Sequence, residues 1–205
     1  MFISLEGIEG CGKTTQLEYL SNFLKEHGRS CVVTREPGGT AIGKKIRSIL
    51  LDPASKGLVP AAELLLYMAD RAQHIDSLIK PRLAEGKIVL CDRFMDSTTV
   101  YQGVARNIQS EPVQMINTFA VGNMVPDVTV VIDLDAEVGL ERVRHRANDM
   151  PDRMEKENIE FYQKVRNGYL MLAKAMHERF IVVDGDLDRN SLEEVIWKEL
   201  RQRVI

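Results

Sequence analysis

One glycine-rich stretch near the start constrains the fold of this chain more than any other segment. It reads Gly7-Ile8-Glu9-Gly10-Cys11-Gly12-Lys13-Thr14 and matches the pattern G-x-x-x-x-G-K-[ST]. A short apolar strand pattern precedes it, and leucines at helical spacing follow it. Glycines let backbone N–H groups approach an anion closely, and the start of a helix adds partial positive charge. The stretch therefore predicts a strand–loop–helix unit that cradles phosphates, although a glycine-rich turn that binds nothing is the alternative.

The side chains that end this loop have expected partners. We expect Lys13 to reach the β- and γ-phosphates of a nucleotide, and the Thr14 hydroxyl to hold Mg²⁺. The candidate nucleotide-binding residues are Gly7, Ile8, Glu9, Gly10, Cys11, Gly12, Lys13, Thr14 and Thr15.

Composition excludes several classes of function. The net charge of −3 gives no broad basic surface for nucleic acid. Cys11, Cys31 and Cys91 lack the spacing of metal ligands and indicate a reducing compartment without a disulfide framework. We find neither a signal-peptide pattern nor an apolar run long enough to cross a membrane. We therefore expect a cytoplasmic protein whose partners include neither nucleic acid nor a membrane.

Strand-like and helix-like segments alternate along the chain, which is typical of an α/β fold with a parallel sheet flanked by helices. The five predicted strands span residues 1–6, 30–35, 87–92, 127–134 and 180–184. Helices are predicted at 13–27, 41–51, 60–79, 96–102, 111–121, 138–147, 155–177 and 191–203. We expect the last helix to begin with Ser191 and Glu194 as a capping box. No repeat or linker interrupts the pattern, so we expect one domain over residues 1–205.

The residues after the third predicted strand help to choose among nucleotide-binding classes. The sequence lacks the Asn-Lys-x-Asp of guanine-reading GTPases and the Asp-Glu pair that follows an apolar strand in many ATPases. Instead, Asp92 and Arg93 follow the strand. Asp92 is expected to hold the Mg²⁺ shell across from Thr14, and Arg93 can fork onto a second phosphate. The alternative is a strand-end turn with a surface ion pair.

Three motifs in the same order resemble the bacterial thymidylate kinase family. They are Leu5-Glu6-Gly7-x-Glu9-Gly10-x-Gly12-Lys13-Thr14-Thr15, Thr34-Arg35-Glu36-Pro37-Gly38-Gly39-Thr40, and Asp92-Arg93-Phe94-x-Asp96-Ser97-Thr98-x-x-Tyr101-Gln102-Gly103. The resemblance implies a P-loop nucleoside monophosphate kinase fold with a five-stranded parallel sheet and a short lid at about residues 142–153. It also implies transfer of the ATP γ-phosphoryl group to dTMP, giving dTDP and ADP for dTTP synthesis, in a homodimer with Mg²⁺.

The resemblance assigns Tyr67 and Arg71 to the thymine base. They lie four residues apart on a predicted helix, so both face one way. Tyr67 would stack on the ring, and Arg71 would donate a hydrogen bond to a base carbonyl and oppose the amino group of cytosine. A core tyrosine and a solvated arginine are the alternative reading.

Further acceptor-site roles also follow from the resemblance. It implies dTMP contacts from Glu9, Arg47, Arg93, Ser97, Thr98, Tyr101 and Gln102. Glu9 would lie near the sugar 3′-hydroxyl, Tyr101 would crowd the 2′-carbon, and Arg93 would bind the acceptor phosphate. The alternatives are a solvated carboxylate for Glu9, a core tyrosine for Tyr101 and an exposed helix arginine for Arg47. Pro37 matches a proline whose preceding peptide is often cis in the family.

The catalytic arginine is expected from the lid. The middle of the glycine-rich loop carries no arginine, and the family's lid supplies one in such enzymes. Arg153 is the first candidate and Arg146 the second, whereas Arg142 and Arg144 are expected to be solvated. The catalytic set implied is Lys13, Arg93, Arg153 and Asp92. No general base is expected, because the second pKa of a phosphate monoester is about 6 and its oxygen is already anionic at neutral pH. The alternatives that remain are a kinase with another acceptor on the same fold and a nucleotide switch with little turnover.

Overall fold

Five parallel strands form the centre of the computed structural model, which describes residues 1–145 and 151–204 and side chains as far as residue 201. The strands are β1 (Phe2–Glu6), β2 (Cys31–Arg35), β3 (Ile88–Asp92), β4 (Val128–Asp133) and β5 (Phe180–Asp184). Their order across the sheet is β2-β3-β1-β4-β5, and every neighbouring pair is parallel. The predicted five-stranded parallel sheet is confirmed.

The innermost strand is β1, and all five of its residues are buried. Leu5 pairs with Asp92 in β3 and with Val130 in β4, and Arg35 in β2 also pairs with Asp92. Because the carboxyl ends of parallel strands meet at one edge of a sheet, the loops after β1, β2 and β3 emerge side by side. This edge is where an α/β sheet forms its ligand site.

Helices cover both faces of the sheet. They are α1 (Lys13–Glu26), α2 (Ala41–Leu51), α3 (Pro60–His74), α4 (Lys80–Ala84), α5 (Met95–Thr98), α6 (Ser110–Val121), α7 (Ala136–Arg144), α8 (Ile159–Ala175) and α9 (Arg189–Val204). A π-helical segment, Ile75–Ile79, joins α3 to α4, and another, Thr99–Ala105, continues α5. Across the described ranges, no helix combines the length and apolarity needed to span a bilayer.

Two of the helix starts that differ from the sequence prediction have a capping side chain. The helix predicted from residue 155 begins at Ile159, because the Asn158 side chain accepts a hydrogen bond from the Phe161 amide at 2.9 Å and so caps the helix there. The helix predicted from residue 191 begins at Arg189, and the Asp188 carboxylate accepts hydrogen bonds from the amides after it. The predicted capping box at Ser191 is therefore wrong.

Candidate active site

The glycine-rich loop after β1 has the backbone that its glycines predict. Gly7, Gly10 and Gly12 adopt φ angles of 138°, 77° and 99°, which side chains other than glycine rarely adopt. A Cβ at Gly10 would lie 2.2 Å from the carbonyl oxygen of Gly139, and one at Gly7 would lie 2.6 Å from that of Ile132. At Gly7 and Gly10 the loop is packed too closely for a larger residue, and it leads directly into the N-terminus of α1.

Lys13 lies within this loop, and its side chain is almost fully buried. Its ammonium donates to the carbonyl oxygens of Ile8 at 2.8 Å and Gly7 at 3.1 Å, and it lies 3.5 Å from the Cys11 sulfur. None of these partners carries a full negative charge. A bound phosphate would therefore be a stronger partner for the ammonium than the groups that hold it here.

Thr14 and Asp92 meet at the carboxyl edge of the sheet. The Thr14 hydroxyl donates to the Asp92 carboxylate at 3.2 Å. The pair places two oxygen donors beside the start of α1, and Mg²⁺ in kinase sites is held by one or two carboxylates together with substrate phosphates. The residues present fit that ion.

Arg93 follows β3 with a φ of 68°, an uncommon conformation for a residue with a side chain. Its guanidinium donates to the Gly7 carbonyl at 2.8 Å and to the Glu9 carboxylate at 2.8 Å. It also lies over the ring of Tyr101, 4.9 Å from the centroid. Arg93 therefore contacts the glycine-rich loop, and it is not the member of a solvated surface pair.

Glu9 and Tyr101 are joined by a hydrogen bond. The Tyr101 hydroxyl donates to the second Glu9 oxygen at 2.8 Å. Both side chains are largely withdrawn from solvent. The structure thus brings Glu9, Arg93 and Tyr101 into one cluster, as the resemblance implies, and Glu9 is not a free solvated carboxylate.

Arg71 is the largest fully buried side chain among the described residues, with 1% of its surface exposed. It donates to Glu36 Oε2 at 2.7 Å, to Thr98 Oγ1 at 2.7 Å, to Asn117 Oδ1 at 3.0 Å and to the Phe94 carbonyl at 2.9 Å. The alternative reading of Arg71 as a solvated residue is wrong.

The loop after β2 holds Arg71 through Glu36. The other carboxylate oxygen of Glu36 lies within hydrogen-bond distance of His74 Nδ1, at 2.9 Å. The peptide bond between Glu36 and Pro37 is cis. Burial, followed by the charge of Glu36, raises the pKa of the nearby Asp70 carboxyl to about 6. Asp70 accepts from the Gly38 amide at 3.0 Å, which ties the loop to α3.

The remaining predicted acceptor residues line the same region. Tyr67 is half-buried, one helical turn from Arg71. Gln102 is buried and donates to Glu63 at 2.9 Å, and Ser97 is partly buried beside Arg93. Arg47 donates to the Pro37 carbonyl at 2.8 Å, and burial, followed by the charge of Arg35, lowers its pKa.

One large cavity of about 1220 Å³ connects these groups. Its wall includes residues 9–16 of the glycine-rich loop and α1, and Asp92 and Arg93 after β3. It also includes Tyr67, Arg71, Thr98, Tyr101 and Gln102 of the predicted acceptor region. The predicted donor and acceptor residues therefore share one continuous space.

The predicted lid arginines differ in their partners and in whether they line the large cavity. Arg153 donates to the Leu50 carbonyl at 2.6 Å and to Glu63 at 2.6 Å. Arg153 does not line the large cavity. Arg142 does line that cavity and donates to the Gly185 carbonyl at 3.1 Å. Arg144 is exposed, and Arg146 lies outside the described residues.

Glu6 is a site residue that the sequence analysis did not single out. It is fully buried, and its carboxylate accepts hydrogen bonds from the Phe94 amide at 2.7 Å, from Ser97 at 2.7 Å and from Tyr169 at 2.8 Å. Burial, followed by the nearby charge of Asp96, raises its pKa to about 7. The signal was a carboxylate that closes an otherwise apolar strand directly before the loop.

Comparison with known proteins gives one consistent family. The sequence model of the family described as "Thymidylate kinase" matches residues 5–196. The thymidylate kinase of Desulfosudis oleivorans is 54% identical over 190 residues, covering 90% of this chain and 89% of its own. That of Carboxydothermus hydrogenoformans is 49% identical over 197 residues, covering 96% and 93%. The crystal structure of thymidylate kinase from Ehrlichia chaffeensis superposes with a TM-score of 0.79 at 35% identity, covering 98% of each chain.

Proposed function

The chain belongs to the thymidylate kinase family, and on this premise we propose how its residues transfer the γ-phosphoryl group of ATP to dTMP, giving dTDP and ADP for dTTP synthesis. The observation that carries the assignment of residues is the single cavity that runs from the glycine-rich loop to Arg71. ATP enters from the side of α1, and dTMP enters from the side of α3. Their phosphates meet between Lys13 and Arg93.

The donor seat is the loop after β1. The amides of residues 7–15 and the N-terminus of α1 surround the β- and γ-phosphates, and Lys13 exchanges its carbonyl partners for phosphate oxygens. Thr14 and Asp92 would hold Mg²⁺, whose charge offsets that of the phosphates.

The acceptor seat is built from the turn after β3, from α2, α3 and α5, and from the π-helical segment that continues α5. Arg93 and Arg47 bind the dTMP phosphate, Tyr67 stacks on the thymine, and Arg71 donates to a base carbonyl. The side chains that complete this seat are Glu9, Ser97, Thr98, Tyr101 and Gln102. The Tyr101 hydroxyl donates to Glu9. In this position the Tyr101 ring crowds the sugar 2′-carbon and so favours deoxyribose.

The chemistry is governed by charge rather than by proton transfer. Two like unit charges ~4 Å apart repel by about 4 kcal/mol at an effective dielectric of 20, and several such pairs meet when two phosphates approach. Lys13 and Arg93 converge on that point and stabilise charge on the transferring group. Closure of the predicted lid would exclude water, which would otherwise hydrolyse ATP.

An arginine from the lid region completes the set. We keep Arg153 and Arg146 as candidates. Arg153 must exchange Glu63 for the phosphoryl group in order to act, because Glu63 holds it in the described conformation. Arg142 joins them, because it lines the cavity.

We propose that the protein forms a homodimer through α3 and α6, and that it acts in the cytoplasm. The two helices pack against each other, and their outer surfaces expose large apolar side chains: Phe119 is 89% exposed, Met115 66% and Leu65 57%. Contiguous exposed apolar surface marks a protein interface. Free thiols at Cys11, Cys31 and Cys91 suit a reducing compartment.

Sedimentation at micromolar concentration tests the dimer. Phe119→Asp should give monomers, whereas Met171→Asp, at a position 70% exposed on α8, should leave the dimer intact. A wild-type protein that sediments as a monomer would remove this proposal.

An acceptor screen tests the reaction itself. ADP release and product formation are measured with ATP and each of dTMP, dUMP, dCMP, dGMP and thymidine. We expect the largest kcat/KM with dTMP. A preference for thymidine or for another monophosphate would assign the chain a different acceptor, and ADP release that does not depend on any acceptor would indicate a nucleotide switch.

A further inference from the structure

A fully buried carboxylate, that of Glu6, lies close to Arg93. All three groups that contact Glu6 are donors: the Phe94 amide, the Ser97 hydroxyl and the Tyr169 hydroxyl. A carboxylate can accept all three at once, whereas an amide offers only one accepting oxygen. Within the described chain, none of these bonds reaches solvent, because Glu6 is 0% exposed.

The same groups hold Arg93. Its guanidinium donates to the Tyr169 hydroxyl at 3.3 Å and approaches the Ser97 hydroxyl at 3.5 Å. The two hydroxyls also lie 2.8 Å from each other. Glu6 therefore reaches the guanidinium through two of the side chains that the guanidinium contacts.

Glu6 also supports the backbone of Arg93. The left-handed conformation at Arg93 is unfavourable for a residue with a Cβ. The Arg93 amide donates to the Leu5 carbonyl at 3.0 Å, and the next amide, that of Phe94, donates to Glu6 at 2.7 Å. Two consecutive amides are thus fixed by the last two residues of β1.

We propose that Glu6 is a positioning residue for Arg93: through Ser97, Tyr169 and the Phe94 amide it fixes where the guanidinium meets the acceptor phosphate. This inference rests on the proposed function, in which Arg93 binds that phosphate. Glu6 itself touches neither substrate. Its effect is therefore mainly on acceptor affinity and on the position of charge, because Lys13 keeps its own contacts with the loop that binds ATP.

Burial, followed by the charge of Asp96, raises the pKa of Glu6, whereas the hydrogen bond from Ser97 and the charge of Arg93 lower it. Arg179 donates to both Asp96 oxygens at 2.8 Å and so offsets part of the Asp96 charge. The other titratable groups that face Glu6 are Tyr169 and Cys91, and both are buried and neutral.

The decisive variant is Tyr169→Phe, with Tyr162→Phe as its matched control. Both tyrosines are on α8, both are at most 1% exposed, and each hydroxyl makes a buried hydrogen bond. The Tyr162 hydroxyl donates to the Met154 carbonyl, away from Arg93. Calorimetric titration with dTMP alone should show about tenfold weaker binding for Tyr169→Phe, the loss typical of one hydrogen bond to a charged group. Tyr162→Phe should bind as the wild type does.

Kinetics separate positioning from general damage. Tyr169→Phe and Glu6→Gln should lower kcat/KM for dTMP while the KM for ATP stays within about twofold, because the loop that binds ATP keeps its own contacts. The pH profile gives a further readout. Below pH 7 the wild-type KM for dTMP should rise as Glu6 takes up a proton, beyond the effect of the dTMP phosphate itself, and Glu6→Gln should lack that added rise.

The possible failures are distinguishable. Wild-type protein that binds no dTMP would overturn both the proposed function and this inference. Wild-type binding together with unchanged dTMP affinity in Tyr169→Phe would overturn the positioning role alone. If Glu6→Gln does not fold, Tyr169→Phe and its control still decide the question.

Discussion

Removing the Arg71 side chain should destabilise the protein strongly. In Arg71→Ala the Glu36 carboxylate stays buried, at 3% side-chain exposure, without its arginine. Breaking a buried ion pair by removing one partner costs about 3–5 kcal/mol, since the other charge is left uncompensated. Thr98, Asn117 and the Phe94 carbonyl lose a donor as well. For a chain of this size the loss corresponds to a fall in Tm of roughly 6–20 °C.

Thermal and urea unfolding measure that loss, with Arg82→Ala as the control. Arg82 pairs with Glu85 at 2.8 Å, close to the 2.7 Å of the buried pair, but both side chains are 43% exposed. Exposed pairs contribute little to stability, so the control should keep its Tm. The comparison isolates burial as the cause.

A double variant tests the stated reason for the cost. If the cost lies in the Glu36 charge that has lost its arginine, then Glu36→Gln combined with Arg71→Ala should be less destabilised than the sum of the two single variants. Additive losses, or an Arg71→Ala protein as stable as the Arg82→Ala control, would refute the reasoning. Where Arg71→Ala remains folded at low temperature, its preference for dTMP over dCMP should also fall, and an unchanged ratio would count against its role in reading the base.

Three further outcomes are expected. Lys13→Ala should cut turnover at least ~100-fold, because it removes a charge from the transferring group, while Tm stays close to wild type; near-normal turnover in a purified sample would contradict the donor seat. Gly10→Ala should lose ATP binding, measured by titration calorimetry, since its Cβ would lie 2.2 Å from the Gly139 carbonyl oxygen, and normal affinity would show that the loop can move aside. Burial, followed by the charge of Asp96, raises the pKa of Glu6 from 4.5 in the unfolded chain to about 7 in the folded protein, so the native state binds the proton more tightly. The contribution of Glu6 to the free energy of unfolding is therefore full below pH 4.5 and is lost as the pH rises towards 7. Urea unfolding of Glu6→Gln should therefore depend less on pH across that window than wild type does, and parallel curves would exclude Glu6 as the group that titrates.

Local sequence patterns are enough to predict most of the fold. The strand–loop–helix unit at the start was predictable because glycine spacing, the apolar strand before it and the leucines after it all lie within about twenty residues. The β5 strand and the α2 helix have the predicted bounds. The start of α8 was predicted too early because the helical periodicity continues upstream, although Asn158 was available as a cap. A capping side chain can thus override periodicity at a helix end.

The partners of the site residues were not predictable in the same way. Arg71 donates hydrogen bonds to residues that are 27, 35 and 46 positions away, on two helices and in the loop after β2. Arg153 meets Glu63 across 90 positions, so its place in the charge-rich segment after α7 did not indicate which acid it would contact. Such pairings depend on the packing of whole helices, and no sequence spacing encodes them.

The central location of β1 has a consequence for how acceptor preference can change. The glycine-rich loop proposed to bind ATP and the turn at Arg93 are carried by β1 and β3, which are hydrogen-bonded to each other along their length. The groups proposed to surround the base are carried by α3 and by the helical segments after β3, and none of them belongs to these two strands. Substitutions on α3 can therefore reshape the recess for a different nucleobase while the spacing between the reacting phosphates is inherited unchanged. Laboratory evolution for a new monophosphate should accordingly accumulate its changes in the helices and leave the inner strands untouched.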